Sequence, residues 1–511
     1  MDSIKRNDWP SLLLLTALTF GAIVRFIPLT LSGFPLNDGG MFLVMTRDLR
    51  ASGFLLPAFT QYNQIDIPFA YPPFGFYVAG FLSSLGLSDL AVFHWLPAIV
   101  NTGSILAFYF LARQMLDSRL RAALATVFYA LAPGAFGWQV MGGGITRAFG
   151  VLFMLLAVRF THRLFTRPAR GTVLLSAMFC SLAVLSHPET ALHTAIACAL
   201  FWLFFGRTKA GVLNAALVAV GVILLTAPWW GTVIARHGFG PFQSVLNTGK
   251  HDFTALQVFL SLGFSGEVFF PLISALGVLG LVVQLTRRGF LLPLWILVTF
   301  SAEPRGGGVA LIPLAMLAGI GFHEVVAFAL ARSREEQSLF DLRAVRNTFL
   351  GMTIYMLLGA SVFGLQLVNT SLTAGDRAAM AWVNENLPAD GSFVLITGRE
   401  FSMTDPLQEW FPALTGQRSQ STLQGYEWLL GNQFFPRYQS LVDLQHCGDI
   451  ACVEDWSAQT GLDYDYLLVK ILPEGADLAY STASLLRSAR EADSLTVVYE
   501  SKSLVIFQKV K

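Results

Sequence analysis

Apolar residues fill the first two thirds of the chain in long blocks separated by short polar punctuation. A helix needs about 20 such residues to cross a hydrocarbon core. Eleven blocks near that length can be marked: 11–31, 89–111, 119–138, 146–166, 171–187, 189–206, 211–230, 259–284, 289–302, 308–331 and 347–368. The first is too long for a secretory leader and has no small-residue cleavage site before Phe34, so it reads as a signal anchor. After residue 369 the pattern changes. Apolar runs shorten, charge rises, and turns such as Leu387-Pro388-Ala389-Asp390-Gly391 appear. Strands are predicted over 393–397, 464–470, 495–500 and 503–509, and helices over 376–387, 453–460 and 478–491. The pattern therefore predicts an α-helical polytopic membrane part, 1–368, followed by a small α/β domain, 369–511.

Composition agrees with this reading. The chain has 511 residues, 54% hydrophobic and 13% charged, where ordinary soluble domains carry about 25% charged residues. Its mean hydropathy is +0.57. Lys and Arg number 34 against 33 Asp and Glu, which leaves no basic field for nucleic acid. Four cysteines exclude a disulfide scaffold and show no zinc spacing. A soluble enzyme, a nucleic-acid binder and a disordered chain are excluded. Cys447 and Cys452 lie five apart in the C-terminal domain, where an oxidising compartment permits a bond; two free thiols are the alternative. Cys180 and Cys198 fall within apolar blocks and read as packing residues.

Orientation follows from the short loops. Lys5 and Arg6, Arg113, Arg119 and Arg121, Arg159, Arg163, Arg167 and Arg170, Arg207 and Lys209, Arg287 and Arg288, and Arg332, Arg334, Arg343 and Arg346 fall on one side when the blocks alternate. That side is predicted to be cytoplasmic. The opposite face receives the 32–88 loop, the 231–258 loop and the C-terminal domain.

The 32–88 loop carries the most chemistry. In Asn37-Asp38-Gly39-Gly40-Met41-Phe42, Asp38 stands at the edge of a segment whose Met41, Val44, Met45 and Leu49 recur at helical spacing. That spacing predicts an amphipathic helix in the membrane interface, with Asp38 as its cap, as a chemical group, or as both. Asp66 and Tyr71-Pro72-Pro73 follow, the proline pair forcing an extended return toward the membrane. Arg147 after the glycines 142–144, His187-Pro188-Glu189 with His193, and Glu303-Pro304-Arg305 belong to the same leaflet as Asp38. Ionisable groups at such depth face a cavity or one another. Acids and cations together suit an anionic substrate and a proton transfer. The alternative is a set of structural ion pairs, for example Glu189 with His193. His187, Glu189 and His193 make no defensible zinc signature, since Pro188 interrupts them. The glycine runs at 142–144 and 306–308 lack the setting of a phosphate loop; close backbone packing, or room for a lipid or sugar, explains them better.

Taken together, these features resemble the GT-C superfamily of integral-membrane glycosyltransferases, which includes the protein O-mannosyltransferases and the aminoarabinose lipid A transferases. Asp38 occupies the place of that family's acidic motif, Tyr71-Pro72-Pro73-Phe74 that of its proline-rich return, and Arg305 that of its late arginine. Three departures stand beside the likeness. Gly39 follows Asp38 where many relatives have a second acid, no acid lies in 139–147, and there is no Trp-Trp-Asp sequence. The resemblance implies transfer of a sugar from a polyprenyl-phosphate donor to a lipid, glycan or protein acceptor on the outer face of a plasma membrane. Asp38 would be the base of an inverting displacement. Arg305, then Arg147 and His187, would bind the donor phosphate. Asp66, Tyr71, Glu189 and Glu303 are further site candidates, and whether a divalent metal takes part is left open. Other readings of the same residues are a transporter or lipid flippase, and a catalytically silent scaffold whose outer domain binds a partner. Segments 405–412 and 424–428 of that domain carry aromatic and acidic residues suited to stacking on sugars or to docking on the bundle.

Overall fold

The computed structural model describes residues 8–247, 263–302, 307–331 and 339–510. Its first ten helices are α1 (Trp9–Ser32), α2 (Gly40–Ala51), α3 (Phe74–Ser84), α4 (Asp89–Met115), α5 (Arg119–Leu131), α6 (Gly144–Thr166), α7 (Thr172–Val184), α8 (Pro188–Phe205), α9 (Lys209–His237) and α10 (Gly240–Asn247). Leu272–Thr286, Leu291–Ala302, Gly307–Gly321 with its π-helical continuation Phe322–Ala327, and Arg343–Val368 complete the apolar part. Each of the eleven apolar blocks falls on a helix, and the start of the 259–284 block lies outside the described residues. Seven of these helices are long and apolar enough to cross a membrane. This is a multi-pass membrane protein.

At one end of the bundle Arg119 meets Asp8, Arg121 and Arg287 meet Glu324, and the Arg346 guanidinium lies over the Trp9 ring. The other end carries the C-terminal domain.

That domain is built on a five-stranded sheet of order β4-β3-β5-β7-β6, with β3 (Ser392–Ile396), β4 (Arg418–Ser419), β5 (Tyr466–Lys470), β6 (Leu495–Glu500) and β7 (Leu504–Lys509). Strand β3 runs parallel to β4 and β5, while β7 is antiparallel to β5 and β6. Side chains alternate across a strand, so the sheet has two apolar faces. Val394, Ile396, Leu467, Val469, Val505 and Phe507 pack into one cluster with the domain's own helices Phe434–Gln445 and Ile450–Thr460. Phe393, Leu395, Leu468, Leu504 and Ile506 pack instead into a cluster that includes Met41, Phe42, Leu43, Tyr62 and Phe76 of the first outer loop. The sheet thus shares a core with that loop. Cys447 and Cys452 are disulfide-bonded, and Cys180 and Cys198 are free.

Two local expectations are corrected. The proline pair does not lead straight back into a span: Pro73 sits at the N-cap of the short helix α3, which the sequence did not suggest. Its fixed φ is compatible with the residue just before a helix, where no backbone N–H is needed. In the outer domain the helices Pro406–Thr415 and Phe434–Gln445 were not foreseen.

Candidate functional site

Asp38 is not the cap of α2. The N-cap is Gly39, at φ 122°, a backbone conformation that L side chains rarely adopt. The Asp38 carboxylate turns away from the helix and accepts three hydrogen bonds. Arg147 Nη1 and Nη2 donate to it at 2.8 and 2.9 Å in a bidentate pair, and the Gly143 N–H donates at 3.0 Å. The pair is largely sheltered, the two side chains being 20% and 17% exposed. Arg147 is itself aimed by Trp138, whose carbonyl accepts from Nε at 2.9 Å and whose half-exposed ring lies 5.4 Å beneath the guanidinium.

The glycine run 142–144 makes this approach feasible. A Cβ on Gly142 would come within 2.0 Å of the Asp38 carbonyl oxygen, and one on Gly143 within 2.5 Å of its carboxylate. The Gly142 N–H donates to the Leu36 carbonyl at 2.9 Å. Close backbone packing is the role of these glycines.

The helix-capping duty that Asp38 declines is taken by the outer domain. Glu409, on the Pro406–Thr415 helix, is buried and accepts from the Gly39 and Met41 N–H groups at 3.3 and 3.0 Å. Its neighbour Trp410 donates from Nε1 to the Asn37 carbonyl at 2.8 Å, and Tyr62 O–H donates to the Glu409 carbonyl at 2.8 Å. Burial, and then the Asp38 charge, pushes the Glu409 carboxyl up to about 8. Burial likewise pushes Glu427, in the loop that covers Tyr71, up to about 7. Trp428 of that loop packs edge-on to Tyr71, with ring centres 5.8 Å apart.

Of the remaining candidates, Tyr71 is brought into the group. Its hydroxyl lies 3.4 Å from Thr146 Oγ1, and its ring 6.4 Å from that of His187. Burial raises the Tyr71 hydroxyl above its ordinary range, so it stays a neutral hydrogen-bonding group. His187 caps α8, its Nδ1 accepting from the Thr190 N–H at 3.4 Å. An Nδ1 that accepts leaves the ring proton on Nε2. Glu189, in the first turn of α8, is half-buried and within electrostatic reach of Tyr71. The suggested Glu189–His193 pair does not form, since neither ring nitrogen of His193 has a hydrogen-bond partner. Asp66 stands exposed beside β2 (Ile67–Pro68), which pairs with β1 (Phe59–Thr60), and no hydrogen bond or ion pair links it to Asp38. Glu303 and Arg305 lie outside the described residues. Among the described residues no cluster of three or more His, Cys, Asp or Glu stands ready to hold a metal ion.

The arrangement is a carboxylate held against a guanidinium and a backbone amide, roofed by aromatic and acidic side chains of a second domain. Comparison with solved structures finds the same overall fold. The oligosaccharyltransferase of Archaeoglobus fulgidus in its apo form aligns with 100% of this chain and 75% of its own, at 13% identity and a TM-score of 0.58. Apo ArnT from Cupriavidus metallidurans aligns over 98% of both chains, at 16% identity and a TM-score of 0.60. The fold is the GT-C fold. A second structure of the archaeal enzyme, in complex with an inhibitory peptide and a dolichol-phosphate, aligns with 100% of this chain and 75% of its own at 14% identity and a TM-score of 0.56. No family model and no curated protein matches the chain. At these identities the GT-C likeness is one of architecture.

Proposed function

We propose that this GT-C chain transfers a sugar from a polyprenyl-phosphate carrier to a hydroxyl acceptor at the domain end of the bundle, with residues 1–368 as its membrane part and 369–511 as its outer domain. The observation that carries the reading is the Asp38 carboxylate, fixed by Arg147 and the Gly143 N–H beneath the outer domain. The fold of the archaeal oligosaccharyltransferase, one structure of which holds a dolichol-phosphate, supports a lipid-phosphate carrier.

In this reading the bond from the sugar's anomeric carbon to the phosphate oxygen breaks, and its electron pair leaves on the polyprenyl phosphate. The acceptor oxygen bonds to the same carbon from the opposite face and surrenders its proton to Asp38, which inverts the configuration. The leaving phosphate gains charge and needs cations. Arg147 is a guanidinium already in place, and a phosphate entering the site would share its donors with Asp38 and weaken the pair's grip on the carboxylate. His187, carrying its proton on Nε2, enters as a neutral donor. Tyr71 and Glu189 line the same side, and Arg305 is assigned to the phosphate by its resemblance alone. The basic end of the bundle is then cytoplasmic and the domain end faces the periplasm or cell exterior.

The test is transfer of label from polyprenyl-phosphate sugars in purified membranes, with wild type beside Asp38→Asn. A general base supplies about 10²–10⁴-fold, so the variant should keep about a hundredth of the rate or less. Equal transfer by both removes Asp38 as the base. No transfer from a broad donor panel removes the glycosyltransferase reading and returns the transporter or silent scaffold.

A further inference from the structure

We propose that Glu409 is a positioning residue for Asp38, through which the outer domain sets the geometry of the first outer loop. The catalytic part of this inference rests on the reading of Asp38 given above.

The backbone on both sides of Asp38 adopts conformations that few residues choose. Asn37 has φ 52° and Gly39 has φ 122°. Such a segment persists only when its surroundings over-determine it. Two neighbouring residues of one helix hold it. Trp410 Nε1 donates to the carbonyl before Asp38, and the Glu409 carboxyl oxygen Oε1 accepts from the N–H groups of Gly39 and Met41 after it. The fit is tight, since a Cβ on Gly40 would come within 2.3 Å of the Glu409 carbonyl oxygen. The gripping helix is anchored in turn. Asp405 caps it, accepting from the Leu407 N–H at 2.9 Å, and Gln408 donates to the Leu395 carbonyl of β3 at 2.9 Å.

The chemistry of the first turn of α2 explains why a side-chain oxygen acceptor is used. A helix N-terminus presents unpaired N–H groups, and a nearby side-chain oxygen is the usual partner. Asp38, one residue before the N-cap, is the local group best placed to supply one. Glu409 comes from 370 residues away to do so instead. That division leaves Asp38 free to face Arg147 and the Gly143 N–H. Removal of Glu409 would strand the Gly39 and Met41 amides and draw the Asp38 carboxylate toward them, away from Arg147. Glutamine at 409 keeps an oxygen that can accept from both amides, so it should preserve the division.

The experiment compares Glu409→Ala, Glu409→Gln and Gln64→Ala in the purified full-length protein. Gln64 ties the same loop to the outer domain through the Ala389 and Gly416 carbonyls, away from Asp38. Two quantities are measured: amide hydrogen exchange over residues 37–45, and kcat and KM for the donor. Glu409→Ala should speed exchange at Gly39 and Met41 about tenfold. It should also lower kcat by about 10–100-fold with KM changed less than about twofold, as expected for a misplaced base. Glu409→Gln should restore both, and Gln64→Ala should leave kcat as in wild type. Unchanged exchange in Glu409→Ala overturns the proposal, and so does an equal fall of kcat in all three variants. If the wild type transfers no sugar, the glycosyltransferase reading falls, while the exchange measurement still decides whether Glu409 holds the loop.

Discussion

Both ends of the helical bundle carry carboxylate–guanidinium pairs, and their surroundings give them different work. At the basic end Asp8 and Arg119 are 53% and 54% exposed and meet at a single contact of 3.4 Å. At the domain end Asp38 and Arg147 are 20% and 17% exposed, meet through two short hydrogen bonds, and share a backbone amide. Water screens the first pair, and long side chains surrender entropy to hold it. The second is largely sheltered from water, so removing one partner leaves the other without its hydrogen bonds. The same two residue types therefore make a solvated surface contact at one end and a built site at the other. Depth and second partners separate them.

The largest way to test that contrast is to remove one cation from each pair. Arg147→Ala leaves a sheltered carboxylate without its partner and should destabilise the protein by about 3–5 kcal/mol. Thermal unfolding in one detergent reads the difference, and a shift no larger than that of Arg119→Ala would erase the contrast. Next is Gly142→Ala. Its Cβ would collide with the Asp38 carbonyl, so the loop must move, at about 1–3 kcal/mol. The same melts should show it, together with weaker transfer, and a neutral result would mean the loop yields freely.

A third test uses pH. Glu409 and Glu427 are raised in the folded protein to about 8 and about 7 from 4.5, chiefly by burial. An acid whose folded value is raised favours the folded state fully below its unfolded value, and that contribution is lost as pH rises through the folded value. The seam between outer domain and loop should therefore be tightest near pH 4.5 and loosen progressively to pH 8. Limited proteolysis of the seam across that range checks it, and the double variant Glu409→Gln, Glu427→Gln should flatten the profile. A seam that tightens with rising pH would contradict the assignment. The smallest effect is expected at the basic end, where Arg119→Ala should change stability by about 0.2–1 kcal/mol, less at high salt.

Elements of the fold were legible to the degree that their signal was local. Eleven apolar blocks marked helices because a hydrocarbon core demands long uninterrupted apolar stretches. Four strands of the outer sheet were legible because they are rich in branched and aromatic residues, and three of them, β3, β5 and β7, are also largely buried. The two-residue β4 carries too little pattern to be read, and the Pro406–Thr415 helix was hidden by Pro406 and Pro412, although the first stands where a helix start tolerates it. Asp38, Arg147 and Tyr71 were legible as polar groups at a membrane edge. Their pairing was not, because Asp38 and Arg147 are 109 residues apart. Glu409 and Trp410 offered a signal, acid and aromatic together in a membrane-facing domain. Its meaning depended on a surface that no local pattern describes.

The sequence by itself determined that this chain lives in a bilayer, where its apolar helices run, and that a small α/β unit follows them. Those follow from transfer energies of side chains, which each segment expresses alone. Tertiary structure decided that Asp38 faces Arg147 rather than its own helix, that the glycines 142–144 serve backbone contact, and that the outer domain caps α2. These are choices among partners with similar local chemistry. Only the packed arrangement settles them, because a hydrogen bond needs its donor and acceptor within about 3 Å, and that closeness is a property of the whole fold.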